Sequence, residues 1–287
     1  MEKYNYIFLK DKNNDYFLKH IKNRNIKKYY IFHPKSKMFK ILRKCKIDSK
    51  KLWGDWKKDI DKYDLVILGE NNYSFHISKY IKQKNKHCRV IVYYWNVLNE
   101  GYKKILKDPN VDEFWSFDKN EVKKYNLKYN TQFYSWDCKL PKKEVIQDVC
   151  FCGRDKGREK ILKEINDNFI ANNLKTNIYI CKNEKDFVPY DKYLEEVAKS
   201  KAVLDVNANH QIGLSLRPME SIFFEKKLIT TNEDIANYDF YRKENVFIIG
   251  KDDYKDLPKF LNTPYKKIPK KIVDYYDYHN WIKRFYE

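Results

Sequence analysis

The stretch Leu204–Thr231, LDVNANHQIGLSLRPMESIFFEKKLITT, decides how the rest of the chain is read. Leu204–Val206 closes an apolar run begun by Ala202 and Val203, the pattern of a parallel strand covered on both faces. Asn207 to Ser215 is polar and holds Gly213, so a loop is predicted at the carboxyl end of that strand. Pro218 suits a first helical turn, where its missing N–H leaves no intrahelical bond unmade. Met219, Ile222 and Phe223 then recur at helical spacing, and Leu228–Thr230 returns to strand character. Ligands of open α/β sheets bind where such loops leave the strand ends. Arg217 and Glu220 stand at that place, one a planar fork for phosphate, the other a carboxylate suited to sugar hydroxyls.

The same alternation extends outward from this stretch. In the first half, Tyr4–Leu9, Lys28–Phe32, Leu65–Leu68, Val90–Tyr94 and Phe114–Phe117 read as strands. Helical spacing links Phe17, Leu18 and Ile21, then Met38, Ile41 and Leu42, then Phe75, Ile77, Tyr80 and Ile81, then Val122 to Tyr125. In the second half, the run from Val149, Asn177–Cys181 and Asn245–Ile249 are strands, with a helix over Asp191–Ser200. Connections too long for hairpins argue for parallel sheets with helices on both faces. Periodicity lapses between Tyr134 and Asp148, around Pro141. The predicted organisation is a Rossmann-like domain over 1–135, a linker over 136–148 and a second Rossmann-like domain over 149–274. Trp281, Ile282 and Phe285 give a terminal helix over 275–287. A chain of 287 residues suits two domains of ~130–150 residues each.

A net charge of +19 has two readings. Clustered Lys and Arg neutralise phosphates in nucleic-acid binders; alternatively, abundant Lys, Asn, Ile and Tyr reflect A+T-rich codons. The second reading is preferred, and no nucleic-acid partner is expected. Lys22, Arg24, Lys27, Lys28, Lys35, Lys37, Lys40, Arg43, Lys44 and Lys46 nonetheless crowd the first fifty residues. Such a face is drawn to anionic lipid at ~1 kcal/mol per basic residue. No apolar run approaches the ~18–20 residues of a membrane span, and the N-terminus lacks a signal-peptide pattern. The expected location is cytoplasmic, peripheral at the inner face of the plasma membrane. The six cysteines contain no C-x-x-C pair and are expected to be free thiols rather than a zinc site.

Gly153-Arg154-Asp155-Lys156-Gly157-Arg158 follows a strand and opens a helix. Glycine lets the backbone approach a ligand and a helix start favours an anion, although a solvated basic turn has the same composition. The loop has no G-K-[ST] and is not a P-loop. Pro189-Tyr190 begins the next helix.

The segment from Leu204 to Thr231 resembles the donor-binding signature of GT-B nucleotide-sugar glycosyltransferases, in which a carboxylate opens a helix, an apolar stretch follows and a short strand closes the unit. In that family two glutamates lie eight positions apart, the second binding the ribose. Glu220 matches the second; Ile212 occupies the place of the first, and His210 or Gln211 is the candidate to replace it. Ser215 stands where the family usually has Gly, and Glu225 and Lys227 replace a customary Gly and Pro. The likeness is to the small bacterial enzymes that build capsular polysaccharide or lipopolysaccharide chains.

The resemblance implies an α/β GT-B fold, two Rossmann-like domains with parallel sheets facing a central cleft. It implies donor contacts from Gly153, Arg154, Lys156, Arg158, Asn207, His210, Gln211, Ser215, Arg217 and Glu220, with Tyr190 either stacking on the base or anchoring its helix. The donor, of UDP type, is a substrate and no cofactor is expected. Two arginines on the diphosphate replace a metal, and no D-x-D pair of the metal-holding kind is read. The acceptor is a glycan or lipid-linked glycan. The acceptor's proton needs a base, for which Glu70, then Asp118 and His76, are the candidates, each alternatively a cap or surface residue. Asn71, Asn72 and Trp95 are candidates to shape the acceptor pocket. The rival readings are an epimerase-like nucleotide-sugar enzyme and a basic nucleic-acid-binding protein.

Overall fold

The computed structural model describes residues 6–10, 18–22, 27–32, 50–70, 75–207 and 212–286. The chain divides into two compact units, Met1–Asn130 and Thr131–Glu287.

In the first unit the strands are β1 (Tyr6–Lys10), β2 (Lys27–Tyr30), β3 (Leu65–Gly69), β4 (Arg89–Tyr94), β5 (Glu113–Ser116) and β6 (Lys128–Tyr129). Their order is β2-β1-β3-β4-β5-β6, and every neighbouring pair is parallel. Helices α1 (Phe75–Lys84), α2 (Glu100–Lys103) and α3 (Lys119–Tyr125) accompany them. Val66, Leu68, Val90 and Val92 pack with Ile77 and Ile81 of α1. The residues between them, Leu65, Ile67 and Ile91, are equally buried. Both faces are therefore covered, which is why these strands read as continuous apolar runs.

The second unit repeats the pattern with β7 (Gln147–Arg154), β8 (Thr176–Cys181), β9 (Ser200–Asp205), β10 (Lys227–Thr230) and β11 (Val246–Ile248). The order is β11-β10-β9-β7-β8, again all parallel. Helices α4 (Glu159–Ala171), α5 (Tyr190–Ala198), α6 (Leu216–Phe224), α7 (Leu257–Asn262), α8 (Lys270–Tyr275) and α9 (Tyr278–Trp281) follow in turn. Val149, Phe151, Ala202, Leu204, Ile229 and Phe247 pack with Leu162, Ile165 and Phe169 of α4 and with Leu257 and Leu261 of α7. Cys150, Val203 and Leu228, of the opposite parity, are also buried. Each unit is thus an all-parallel α/β sheet of Rossmann-like architecture. In both, the strand order reverses between the first and third strands in chain order: β1 and β3, then β7 and β9.

The boundary falls earlier than the lapse in periodicity suggests. Residues 131–138 belong to the second unit because its tail holds them. Tyr134 and Asp277 form a parallel bridge, Trp281 Nε1 donates to the Thr131 carbonyl at 2.7 Å, and the Phe133 and Trp281 rings stack at 4.0 Å. The tail, residues 275–287, which the likeness to GT-B enzymes would turn back towards the first domain, packs on this strap. It forms α9 and a 3-10 turn, Ile282–Phe285, in place of one continuous helix.

Cys88, Cys138, Cys150, Cys152 and Cys181 are free thiols. Among the described residues no helix is long and apolar enough to cross a membrane. Of the basic run between 22 and 46, Lys22 is exposed, while the Lys28 ammonium turns inward to the carbonyls of Leu18, at 2.9 Å, and Ile21. Arg24, Lys35, Lys37, Lys40, Arg43, Lys44 and Lys46 lie outside the described residues.

Candidate anion-binding site

At the carboxyl edge of the second sheet, the chain leaves β7 through 153–158 and leaves β9 through the loop that ends at Ser215. These exits flank the strand-order reversal, where open α/β sheets bind their ligands. Lys156 and Gly157 both take left-handed backbone, with φ of 48° and 79°. The turn tightens there, and Asp155 Oδ1 accepts from the Glu159 backbone N–H at 2.7 Å at the start of α4.

Arg217 reaches this turn from α6. Ser215 caps that helix, accepting from the Arg217 N–H at 3.2 Å and donating to Asp205 Oδ1 at 2.7 Å. The Arg217 side chain, 14% exposed, lies 3.9 Å from Asp205 Oδ1. Its Nη2 donates to the Cys152 carbonyl at 2.6 Å, and its guanidinium carbon sits 4.5 Å from the centre of the Phe151 ring. Arg158 shares that ring at 5.2 Å and donates to the carbonyls of Arg154 and Val206.

Gly153 makes this convergence possible. A Cβ there would stand 2.6 Å from Arg217 Nη2 and 3.2 Å from Arg158 Nη2, closer than unstrained side chains approach. The functional value of this glycine is the space it leaves for two guanidinium groups.

Burial and then the neighbouring Arg217 push the Arg158 guanidinium down to about 10. Partial desolvation, then repulsion from Arg158, Arg217 and Arg154, lowers the Lys156 ammonium, although the residue itself is exposed. Arg217 shifts the other way: burial opposes its charge, but Tyr193, Asp205 and Glu220 together raise its guanidinium above the ordinary range. Arg217 Nε has no hydrogen-bond partner among the described residues. Neither the Arg154 nor the Lys156 side chain enters a hydrogen bond or ion pair there. Exposed cations on the turn and a buried guanidinium with one unpaired donor give this strand end the groups that charge-assisted hydrogen bonds to an anion require.

Behind the cluster, Glu220 is buried and accepts from Tyr190 Oη at 2.8 Å and from Tyr193 Oη at 2.6 Å. Burial pushes its carboxyl up to about 7, against the opposing pull of Tyr193, Tyr190 and Arg217. Burial, with Glu220 second, raises both phenols well above their ordinary value, so they stay protonated. Tyr190 Oη also shares a hydrogen bond with Tyr134 Oη at 2.5 Å.

Gly153, Arg154, Lys156, Arg158, Ser215 and Arg217 are therefore brought together. Asn207 stands at the end of β9, its backbone N–H donating to Thr231 Oγ1 at 3.3 Å. Glu220 and Tyr190 face each other in the interior rather than solvent. His210, Gln211, Asn71 and Asn72 lie outside the described residues.

The three candidate bases of the first unit stand on different elements. Glu70, at the end of β3, accepts from the backbone of Trp95 at 3.0 Å and Asn96 at 3.1 Å, and from Asn96 Nδ2 at 2.6 Å. Burial raises its carboxyl above the ordinary range against those bonds. Asp118 caps α3, accepting from the N–H groups of Asn120 at 3.0 Å and Glu121 at 3.3 Å. His76 is exposed on α1.

One D-x-D spacing does occur, Asp59-Ile60-Asp61. Asp59 joins two short 3-10 turns and bonds to Lys62 at 2.6 Å, and Asp61, inside the second turn, is exposed. No group of three or more potential metal ligands forms among the described residues.

Sequence reasoning missed Asp205, Phe151, Phe187 and Tyr193. Asp205 and Phe151 are hidden inside apolar strands. Tyr193 follows Tyr190 by three positions, the spacing that puts two side chains on one helix face, and that signal was legible.

No protein-family model matches the sequence, and no curated protein matches it. Among solved structures, an NAD+-bound 3-phosphoglycerate dehydrogenase of Entamoeba histolytica aligns at 12% identity over 95% of this chain and 95% of its own. Its TM-score of 0.21 is too low to carry an argument. The chain's own strand order and pairing make it an α/β protein of two parallel, Rossmann-like units.

Proposed function

We propose that the second unit binds a nucleoside-diphosphate sugar and that the protein transfers the sugar to a growing surface polysaccharide or lipid-linked glycan. The observation that carries this reading is the set of basic side chains around Gly153 at the strand-order reversal, with Arg154 and Lys156 exposed and Arg217 Nε buried without a hydrogen-bond partner among the described residues. A diphosphate supplies the acceptors those donors lack. Arg217, held by Ser215 and Asp205, and Lys156 take the phosphate oxygens. As the glycosidic bond breaks, the same cations stabilise the charge developing on the departing diphosphate. Arg158 is occupied by backbone carbonyls and braces the turn.

In this reading Glu220 positions Tyr190 and Tyr193 behind Arg217. A direct ribose contact requires one tyrosine hydroxyl to swing away first. The first unit is assigned the acceptor, and Glu70, at that unit's own strand-order reversal, is the first base to test.

The test is thermal stabilisation and calorimetric titration with UDP, GDP, CMP and their sugar conjugates in the presence of EDTA. One nucleotide should bind selectively, and Arg217→Ala should weaken it about ten- to hundredfold, the loss of one charge-assisted contact. Equal binding by the variant would remove the site. Turnover of the bound sugar nucleotide without any acceptor would instead indicate an epimerase-like reaction.

A further inference from the structure

The cluster of cations has an aromatic neighbour that the Glu220 network does not use. Phe187 follows the 3-10 turn Glu184–Asp186 after β8 and precedes α5. It is 43% exposed, and the Arg154 guanidinium carbon lies 4.3 Å from its ring centre. Its loop is held, because the Asn183 N–H donates to Asp186 Oδ2 at 2.8 Å. Tyr190, three residues on, is the opposite case: buried, with its hydroxyl given to Glu220.

Resting on the nucleotide reading above, we propose that Phe187, layered on Arg154, is the platform for the ligand's nucleobase, and that Tyr190 is not. One face of the ring is covered by the guanidinium, which leaves the other for a planar group. Arg154 joins the platform to the turn that carries Lys156 and that Arg217 reaches. An anion alone has no use for it. A ligand joining an aromatic ring to a diphosphate engages both, the ring by stacking and the phosphates by charge-assisted hydrogen bonds. Stacking tolerates any base because every base has a π-face. Phe187 therefore adds affinity for nucleotides over bare phosphates without choosing among bases.

The experiment compares the full chain with Phe187→Ala and Phe187→Tyr, titrating each with UDP, GDP, ADP and inorganic pyrophosphate. The expected result is a five- to hundredfold loss of nucleotide affinity in Phe187→Ala, the range for removing one base-stacking ring. Pyrophosphate affinity should stay within twofold and Phe187→Tyr should bind as the wild type. Nucleotide affinity unchanged in Phe187→Ala would overturn the platform while leaving the nucleotide site standing. Equal losses for nucleotide and pyrophosphate would overturn it too, assigning Phe187 only to holding Arg154. If the wild type binds neither nucleotide nor pyrophosphate, the underlying reading fails, and the platform with it.

Discussion

At the carboxyl edge of the first sheet, the buried charged groups are committed. Glu70 accepts from the backbone of Trp95 and Asn96, Asp118 caps α3, and Glu121 accepts from Leu98 N–H and Ser116 Oγ. At the same edge of the second sheet, Arg154, Lys156 and the Arg217 Nε hold donors that no described residue satisfies. The strand orders match, so topology does not cause the difference. The balance of donors and acceptors does. A carboxylate that accepts from backbone N–H groups contributes to the fold, whereas exposed cations at a strand end remain available to an anion. That difference is what favours the second unit as the place for the proposed anion.

The comparison can be broken at several points. The largest expected effect is at Glu220. It holds a proton up to about pH 7 in the folded unit, against an ordinary value of 4.5. Between those values the folded state binds more protons than the unfolded chain. The associated stability is therefore complete below the lower value and lost as pH rises through the upper one, on the order of 3 kcal/mol. Denaturation measured from pH 5 to 8 should show this slope in the wild type and not in Glu220→Gln. Equal slopes would mean that Glu220 is not the titrating group.

Glu70→Gln comes next. Its amide NH2 would replace the acceptor of one backbone N–H, that of Trp95 or that of Asn96, at about 1–3 kcal/mol for an unsatisfied buried group. Hydrogen-exchange protection of those amides should fall, and that of β7 and β9 should not.

Glu225 ends α6 in left-handed backbone at φ 54°, where a side chain is disfavoured. Glu225→Gly should therefore raise stability by about 1 kcal/mol, read from the denaturation midpoint. Smallest of all, Lys156→Ala should leave stability within ~0.5 kcal/mol while weakening nucleotide binding. A clear loss of stability would show that Lys156 is structural, and the contrast between the two edges would narrow.

Much of the fold was legible because buried parallel strands announce themselves as apolar runs. Leu65–Gly69, Arg89–Tyr94 and Ser200–Asp205 lie close to where the sequence puts them, and Ser215 with Pro218 marked the start of α6. Hidden elements depend on distant partners. β6 is two residues paired to Trp115 and Ser116. The 3-10 turns over 50–62 close around Trp56, whose Nε1 donates to the Ile31 carbonyl at 3.0 Å.

The site divides in the same way. Gly153, Lys156 and Arg217 stood out as residue types near strand ends, since glycine and cations in such loops have few structural uses. Their supports did not, because Asp205 reads as an interruption in an apolar strand. Glu220 was legible as a position, but its partners Tyr190 and Tyr193 lie far upstream and meet it only in the packed unit. The separation between Glu225 and the glycine its backbone favours likewise shows a local rule overridden by context.

The strap over 131–138 has a consequence for how the chain is made. Its partners in the tail include Trp281, which bonds a carbonyl 150 positions earlier. The first unit has every strand of its sheet once Tyr129 has left the ribosome, and domains generally fold as units in order of synthesis. The second unit holds an unfinished seam at Phe133 and Tyr134 until residue 281 emerges. Throughout that interval Phe133 lacks the Trp281 ring that stacks on it, so this seam is among the last contacts of the second unit to close.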